Sequence, residues 1–199
     1  MKGKRRVQQQ SGIDIQDSLK GHFLIAMPDM VDFNFYQTVT CLSEHNASGA
    51  VGVVINRVLP SVSAKAIFKE LNLAYTIDAD AVPVHIGGPV HENEIFILHG
   101  PPFAWQGCLK ITPTLAMSNT IDLLTAIARG EGPAAFIIAL GCAGWAGGQL
   151  EQEMADNAWL TCPLNEKIVF ESPVEDRWAA AVRMLGIDPG LLSHTPGHA

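Results

Sequence analysis

Short apolar runs alternate with polar segments along this chain, and their length and spacing predict both strands and helices. Runs of roughly three to eight residues rich in β-branched and aromatic side chains are typical of strands. Such runs cover residues 23–27, 35–42, 50–55, 82–86, 95–98, 136–140, 159–162 and 168–170. Apolar positions three or four apart, which predict helices, occur at residues 63–73, 115–129, 149–157 and 175–185. Strands and helices alternate irregularly, so the pattern favours an α+β domain with a mixed sheet.

A turn signal separates the second and third strand-like runs. Asn46-Ala-Ser-Gly49 supplies residues that tight turns need, so the two runs are predicted to pair as a β-hairpin. Asn56 and Arg57 follow at the end of its second strand. An arginine there can bind a carboxylate or a phosphate with two hydrogen bonds, or it can form an ion pair with Glu44 across the hairpin.

The composition is typical of a globular protein. The chain has 199 residues, of which 48% are hydrophobic and 17% are charged, so a single domain with a sizeable core is expected. We expect this domain over residues 19–187, after a flexible leader at residues 1–18 and before a loose tail at residues 188–199. The leader is basic but lacks the apolar stretch of a secretory signal.

Charge and cysteine content narrow the classes of function. The formal net charge is −7, and Lys and Arg are scattered singly, so direct nucleic-acid binding is disfavoured. No apolar run is long enough for a transmembrane helix, so no membrane association is expected. Four widely spaced cysteines without a CxxC pair indicate reduced thiols in a cytoplasmic protein. Cys41 and Cys162 are predicted to be core residues, whereas Cys142 lies among glycines, where its thiol can be exposed.

The segment Gly141–Glu151 is the first candidate site. Its glycines follow an apolar run and precede a predicted helix, so they can form a ligand-binding loop with Gln149 and Glu151 as polar contacts. The segment lacks the Lys-Ser/Thr pair of a phosphate-binding loop and the serine of a hydrolase nucleophile elbow. The competing interpretation is a tight strand-to-helix turn in which Trp145 packs as a plug.

Gly87 and Gly88 are the second candidate, because they end a strand and can offer backbone N–H groups to an anion. A turn whose geometry only glycine tolerates explains them equally well. With Arg57 as the counter-charge, the two glycine segments are predicted to form one cleft for a small anionic ligand. The predicted ligand-binding residues are His45, Asn56, Arg57, Gly87, Gly88, Trp145, Gln149 and Glu151.

The histidines indicate neither a metal site nor a catalytic triad. Four of them fall near predicted strand ends, at His45, His85, His91 and His99. Their spacing matches no compact zinc signature, and we expect neither a metal nor a cofactor. Ser43 and His45 share a strand face, but no acid is placed to orient the imidazole. We therefore assign no catalytic residue.

Five segments, taken in order, resemble the YqgE/AlgH family. They are GHFLIAMPDMVDFNFY (residues 21–36), SEHNASGAVGVVINR (43–57), HIGGPV (85–90), FILHG (96–100) and GCAGWAGGQLEQEM with NAWL (141–160). Each motif alone is weak, but five in the same order over residues 21–186 are specific. The recurring family positions are Pro28, His45, Asn56, Arg57, Gly87, Gly88, Pro89, His99, Gly144, Trp145, Gly148, Gln149, Leu150, Glu151 and Trp159. The chain departs from the common family residue at Gln37, Ser43 and Cys142, which weakens any mechanism that needs an arginine or a thiol on the first hairpin.

The resemblance implies a compact α+β fold with a bifurcated, partly barrel-like sheet surrounded by helices, in a bacterial cytosolic protein. Some family members are labelled transcriptional regulators, chiefly through a link to alginate production, but the family offers no catalytic residue to carry over. Our leading hypothesis is a regulatory or interaction protein that acts through a protein partner or a small ligand, without catalysis. The alternative is a binding protein or enzyme for small anionic molecules. A third interpretation is that the glycines only let strands and helices pack closely.

Overall fold

One long strand, Phe136–Ala146, organises the sheet of this protein. The computed structural model describes residues 18–192. The strands are β1 (His22–Ala26), β2 (Val39–Asn46), β3 (Gly49–Val54), β4 (Val58–Ser63), β5 (Pro83–Ile86), β6 (Val90–His99), β7 (Leu109–Lys110), β8 (Ala116–Ser118), β9 (Phe136–Ala146) and β10 (Trp159–Pro163). The helices are α1 (Ala64–Glu70), α2 (Ile121–Ala128), α3 (Gln149–Ala155), α4 (Glu166–Phe170) and α5 (Arg177–Met184), with 3₁₀ turns at Val174–Asp176 and Pro189–Leu191.

The sheet divides at β9. Along one edge of β9, residues 136–140 pair with β6 in antiparallel register. The opposite edge is shared, because β5 pairs in parallel with residues 138–140 and β3 pairs antiparallel with residues 143–146. From β9 the strand order runs through β3, β2 and β1 to β10 on one side, and through β6 and β8 to β7 on the other. The predicted α+β fold with a mixed, bifurcated and partly barrel-like sheet is therefore confirmed.

Three hydrophobic clusters fill the two faces of the sheet. The first lies beneath α4 and α5 and includes Phe23, Ile25, Val53, Ile137, Ile168 and Val182. The second lies beneath α1 and α2 and includes Phe68, Val84, Ile97, Leu123, Ile127 and Ile138. The third lies against α3 and includes Leu24, Leu42, Trp145, Leu150 and Trp159. Strand β9 contributes side chains to all three clusters.

The hairpin prediction is correct, because β2 and β3 pair antiparallel around the turn at residues 46–49. The second strand begins later than predicted, at Val39, since residues 34–37 form a turn instead. The helix predicted over residues 63–73 is shorter, and its buried residues are Ala64, Ile67 and Phe68, whereas Ala66 and Leu71 are exposed.

Two segments adopt a different structure from the predicted one. Residues 116–118, predicted as the start of a helix, form β8, because they pair with both β6 and β7. Residues 168–170, predicted as a strand, belong to α4. The side chain of Asn165 accepts a hydrogen bond from the N–H of Lys167 and so caps the beginning of that helix. In both places a tertiary or capping contact outweighs the local apolar pattern.

At the ends of the described chain, Ser18 and Leu19 contact β2, and Leu192 packs against the first cluster. Residues 188–192, which were predicted to begin a loose tail, include a 3₁₀ turn in which the Asp188 side chain accepts a hydrogen bond from the N–H of Gly190. The remainder of the predicted leader and tail lies outside the described residues. Within residues 18–192, none of the helices has the length and apolar character needed to cross a membrane.

Candidate functional site

The segment 141–146 is the second half of β9, and the predicted glycine loop is therefore wrong for these residues. Ala143 to Ala146 pair with β3, and Cys142 pairs with Val90 of β6. Cys142 is consequently buried, contrary to the exposure anticipated for it. Burial and the nearby carboxylate of Glu94 raise the pKa of its thiol.

Gly87 and Gly88 pack directly on the middle of β9. A Cβ atom on Gly87 would lie 2.1 Å from the carbonyl oxygen of Gly141, and one on Gly88 would lie 2.4 Å from the backbone of Cys142. The N–H of Gly87 donates to the Leu140 carbonyl at 2.7 Å, and its own carbonyl accepts from the N–H of Val54. These glycines allow close backbone packing, as the third interpretation predicts, and the N–H of Gly87 is not available to an anion.

Trp145, Gln149 and Trp159 converge on Glu153 of α3, a residue that the sequence interpretation missed. One carboxylate oxygen of Glu153 accepts hydrogen bonds from both indole N–H groups, at 2.9 Å from Trp145 and 2.8 Å from Trp159. The other oxygen accepts from the Gln149 amide at 2.9 Å. The two indole rings and Phe35 form edge-on and tilted contacts with centroids 5.4–5.8 Å apart. These contacts hold α3 against the sheet, and they use the indole N–H of Trp145 and the side-chain amide of Gln149 for hydrogen bonds within the protein.

His45 connects three segments of the chain. Its Nδ1 accepts a hydrogen bond from the N–H of Leu19 at 2.9 Å, and its Nε2 lies 3.0 Å from a carboxylate oxygen of Glu151. A hydrogen on Nε2 satisfies both contacts, because Nδ1 must then be the acceptor. The side chain is almost completely buried, so this pair fastens residue 19 and α3 to the end of β2.

Asn56 and Arg57 hold the loop that precedes β2. Asn56 accepts from the N–H of Val39 and donates to the carbonyl of Gln37, both at 2.8 Å. The guanidinium of Arg57 donates to the carbonyls of Phe33 and Tyr36, both at 2.7 Å. The ion pair with Glu44 that was considered for Arg57 is therefore not the contact that it makes. Burial lowers the pKa of Arg57, and Asp32 opposes this shift.

The predicted ligand-binding residues thus fall into two groups. His45, Trp145, Gln149 and Glu151 belong to the contacts between α3 and the sheet. Asn56, Arg57, Gly87 and Gly88 lie around the loop before β2 and the middle of β9. Of all eight, Arg57 and Gly88 line the same open cleft, which occupies about 360 Å³.

That cleft is one part of a longer groove, which we call the Asn93 groove. Two further clefts, of about 340 and 210 Å³, continue from it, and Asn93 lines all three. The walls are α1 and α2, and the irregular first half of β6 runs between them. The apolar residues along the groove are Leu59, Ile67, Leu71, Ile86, Ile95, Ile121, Leu124 and Leu140.

Carboxylates outnumber cations along the Asn93 groove. Glu92 lines the first cleft, Glu70 the second and Glu94 the third. Among the described residues that line these clefts, Arg57 is the one cation. Three carboxylates against one guanidinium give the groove an apolar floor with a rim of net negative charge.

The Asn93 groove was not anticipated from the sequence. The signal for it is the polar run of residues 91–94 inside an otherwise apolar strand, which coincides with the register irregularity between the paired residues Val90 and Ile95. Exposed Leu71 and Ile121, each at the end or beginning of a helix, are its other visible marks. A single sequence does not show that these positions are neighbours.

A buried cation lies elsewhere, between α5 and the sheet. Arg177 is 5% exposed and donates to the carbonyls of Ile55 and Ser172 and to Nε2 of His85. Burial lowers the pKa of Arg177 to about 10, and burial together with the Arg177 charge lowers the pKa of His85 to about 4. His85 is thus a neutral acceptor that helps to seat α5.

In the described part of the chain, no group of three or more His, Cys, Asp or Glu side chains is placed to hold a metal ion. The residues that line the Asn93 groove can recognise a ligand through apolar contact, charge and the amide of Asn93.

A family model described as AlgH-like matches residues 23–190. A UPF0301 protein of Desulforapulum autotrophicum is 49% identical over 181 residues, which are 91% of this chain and 96% of that protein. A UPF0301 protein of Thioalkalivibrio sulfidiphilus is 44% identical over 177 residues, 89% of this chain and 95% of that protein.

Two solved structures are similar. The solution structure of the AlgH protein from Pseudomonas aeruginosa superposes with a TM-score of 0.75 at 43% identity, covering 99% of this chain and all of that one. A crystal structure of a protein from Corynebacterium diphtheriae has a TM-score of 0.68 at 21% identity, covering 83% of this chain and 86% of that one. The second likeness concerns the fold alone.

Proposed function

Since this chain belongs to the AlgH-like family, we propose that it is a cytoplasmic regulatory protein that binds a segment of a partner protein in the Asn93 groove. The observation that carries the proposal is the continuity of three clefts around one residue, Asn93. A groove of this form suits an extended or helical peptide better than a compact metabolite. The family membership supports a shared role but supplies no activity.

Exposed apolar side chains along the groove support a protein partner. Ile121 is 56% exposed, Leu71 is 40% exposed and Ile86 is 38% exposed, and all three line the groove. Neighbouring exposed apolar residues with a polar rim are typical of interaction surfaces. Their burial by a partner would supply the main part of the binding free energy.

The rim charges indicate the chemistry of the partner segment. Glu70, Glu92 and Glu94 are exposed carboxylates spaced along the groove, so a segment with Lys or Arg beside its apolar residues fits best. The same carboxylates disfavour a phosphate backbone, and the net charge of −7 acts in the same direction. These charges support our proposal that regulation acts through a protein partner, without direct DNA binding.

A small anionic ligand is a second candidate, at one end of the groove. Arg57 uses two of its five N–H donors for the carbonyls of Phe33 and Tyr36, which leaves donors for a carboxylate or a phosphate. Glu92 lines the same cleft and opposes an anion. This balance favours the peptide over the anion as the main occupant.

The test uses two synthetic amphipathic peptides with the same leucine spacing, one with lysine and one with glutamate at the polar positions. Titration calorimetry with the full chain should show binding of the lysine peptide. The double variant Glu92→Gln/Glu94→Gln should weaken that binding about tenfold, because it removes two rim charges without changing side-chain shape. A matched double variant, Glu131→Gln/Glu171→Gln, carries the same net charge away from the groove and should bind like the parent.

If both double variants weakened binding of the lysine peptide equally, the effect would be due to overall charge, and the groove assignment would be overturned. Binding of both peptides with the same affinity would overturn the proposed partner chemistry. The second candidate is tested separately with inorganic phosphate and citrate in a thermal-shift titration. A stabilisation that disappears in Arg57→Gln would establish an anion site, and no stabilisation would remove it.

A further inference from the structure

A cysteine, a histidine and a serine meet at the C-terminal end of β6. Strand β7 pairs with β8 so that Leu109 lies opposite Met117, which brings Cys108, one residue earlier, level with Ser118. Strand β8 pairs in turn with β6, which ends at His99. The Sγ atom of Cys108 lies 3.9 Å from Nε2 of His99, and the hydroxyl oxygen of Ser118 lies 3.0 Å from the same nitrogen.

The imidazole of His99 is oriented as a proton acceptor. Its Nδ1 lies 2.8 Å from the carbonyl oxygen of Gly100, so Nδ1 carries the hydrogen and donates it to that oxygen. The lone pair of Nε2 therefore points toward Cys108 and Ser118. His99 is fully buried, and burial lowers its pKa, which keeps the ring neutral at neutral pH. A neutral imidazole held in this way is the arrangement that activates a nucleophile.

Cys108 is also the accessible thiol among the four cysteines. Cys41, Cys142 and Cys162 are buried, and burial raises the pKa of each of these thiols. Cys108 is partly exposed. A buried thiol with a raised pKa reacts slowly, because the thiolate is the reactive form. Reaction of the native protein with a thiol reagent should therefore be concentrated at Cys108.

A positive charge lies near the aromatic ring that packs against His99. It belongs to Lys110 of β7, two residues beyond Cys108 in the chain. The Lys110 ammonium group lies 5.5 Å from the centre of the Phe103 ring, and that ring lies 5.8 Å from the His99 ring. A reagent that approaches Cys108 would find an aromatic surface and a cation there, which suits a carboxylate.

We propose that Cys108 is a covalent modification site for low-molecular-weight disulfides that carry a carboxylate, with His99 as its general base. His99 Nε2 takes the proton of the Cys108 thiol while the sulfur attacks one sulfur of the disulfide. The S–S bond of the reagent breaks, a mixed disulfide forms on Cys108, and the departing thiolate receives the proton from His99. The reagent disulfide is the oxidant, and one reagent thiol is released for each cysteine modified. The site is independent of the Asn93 groove and of the function proposed for it.

Ser118 gives the proposal a second, independent readout. Nε2 of His99 has a single lone pair, and the Ser118 hydroxyl competes with the Cys108 thiol for it. Removal of that hydroxyl frees the lone pair for the thiol. Ser118→Ala should therefore increase the reaction rate of Cys108, whereas a cysteine that reacts only because it is exposed would not respond.

The experiment follows the reaction of the native full chain with 5,5′-dithiobis(2-nitrobenzoate), which bears carboxylates, and with the neutral 2,2′-dithiodipyridine. We expect one rapidly reacting thiol in the parent protein and none in Cys108→Ser. His99→Gln should slow the reaction about tenfold or more, because a positioned base typically contributes at least that factor. Lys110→Gln should slow only the carboxylate reagent, severalfold, and this exposed substitution preserves the fold.

A rapid thiol that persists in Cys108→Ser, or a rate unchanged in a folded His99→Gln, would overturn the proposal. If His99→Gln does not fold, the proposal is tested by Ser118→Ala and Lys110→Gln. A faster reaction of Ser118→Ala together with the reagent-selective effect of Lys110→Gln supports the site. Unchanged rates in both variants refute it.

Discussion

His85 and Arg177 meet in the interior without a carboxylate between them. Arg177 satisfies its donors with two carbonyls and with Nε2 of His85, so the histidine must remain neutral to accept that bond. Burial disfavours the charged form of His85, and a second proton would also place two cations in contact, so the pKa of His85 falls to about 4. The pair gives the folded state a dependence on pH.

We predict that His85 destabilises the folded state as the pH falls from about 6.5 to 4. In the unfolded chain His85 takes up a proton near its ordinary pKa of about 6.5, whereas the folded chain does so only near pH 4. The unfolded state therefore binds more protons in this window, and the free energy of unfolding decreases by about 2 kcal/mol between pH 7.5 and 5. Urea denaturation of the parent and of His85→Gln should show a smaller pH dependence in the variant.

His91→Gln is the matched control, because His91 is exposed and touches neither Arg177 nor the core. Its pH dependence should follow the parent. Some dependence should remain in His85→Gln, since burial also lowers the pKa of His99. If the free energy of unfolding depended on pH equally in the parent and in His85→Gln, the assignment of a neutral His85 in the folded state would be contradicted.

Single residues also show how much of the site could be predicted from the sequence. His45, Trp145, Gln149 and Glu151 were predicted to contact a ligand, and in the structure they make polar contacts within the protein. These internal contacts could not be predicted, because the one between His45 and Glu151 spans 106 positions in the chain. Local spacing carries no information about such a pair, nor about the helical register that makes Glu153 the shared acceptor.

Among the elements, β9 differs most from expectation. A cluster of glycines normally weakens a strand, so a loop after Leu140 was the natural prediction. Gly141 is instead needed within the strand, because a Cβ atom there would lie 2.4 Å from the carbonyl oxygen of Gly88. The β2–β3 hairpin could be predicted since its turn residues are local, whereas β8 could not, since its two pairing partners lie elsewhere in the chain.

The close backbone contact between Gly87 and β9 predicts that Gly87→Ala is much more destabilising than Gly148→Ala. The new Cβ atom of Gly87→Ala would lie 2.1 Å from the Gly141 carbonyl oxygen, and a backbone atom cannot move away cheaply. We expect a loss of about 3 kcal/mol. Gly148 has a φ of +80° with open space around it, so Gly148→Ala should cost about 1 kcal/mol of backbone strain.

Thermal and urea denaturation of both variants at the same pH would give the two losses. Gly148 serves as the control because it shares the residue change and the position near β9 but lacks the steric contact. Equal losses would mean that backbone conformation, rather than close packing, determines the presence of glycine at both positions.

For the whole molecule, the three hydrophobic clusters share one strand. Trp145 and Ala143 of β9 lie in the third cluster, Ile137 and Ala139 in the first, and Ile138 in the second. No cluster can therefore lose its packing without disturbing the strand that supports the other two. The fold class could be predicted from the irregular order of elements and from the family resemblance, but this shared support could not.

We predict a single cooperative unfolding transition. Native-state hydrogen exchange in low urea should give the same opening free energy for amides of β1, β5 and β9, because all depend on the same strand. Ile138→Ala, which alters the second cluster, should lower the opening free energy in all three strands by the same amount. Earlier exchange confined to the amides of β5 would show that the second cluster opens independently.

The position of β9 in the chain also bears on synthesis by the ribosome. The β2–β3 hairpin emerges early, but the edge of β3 has its partner only when residues 143–146 have been made. At typical elongation rates this interval is on the order of ten seconds. During that time an apolar hairpin with an unpaired edge is exposed in the nascent chain, which is the type of segment that pairs with other strands. The nascent hairpin is therefore the stage at which a general chaperone would be of most use, and slow codons between residues 54 and 136 would lengthen its exposure.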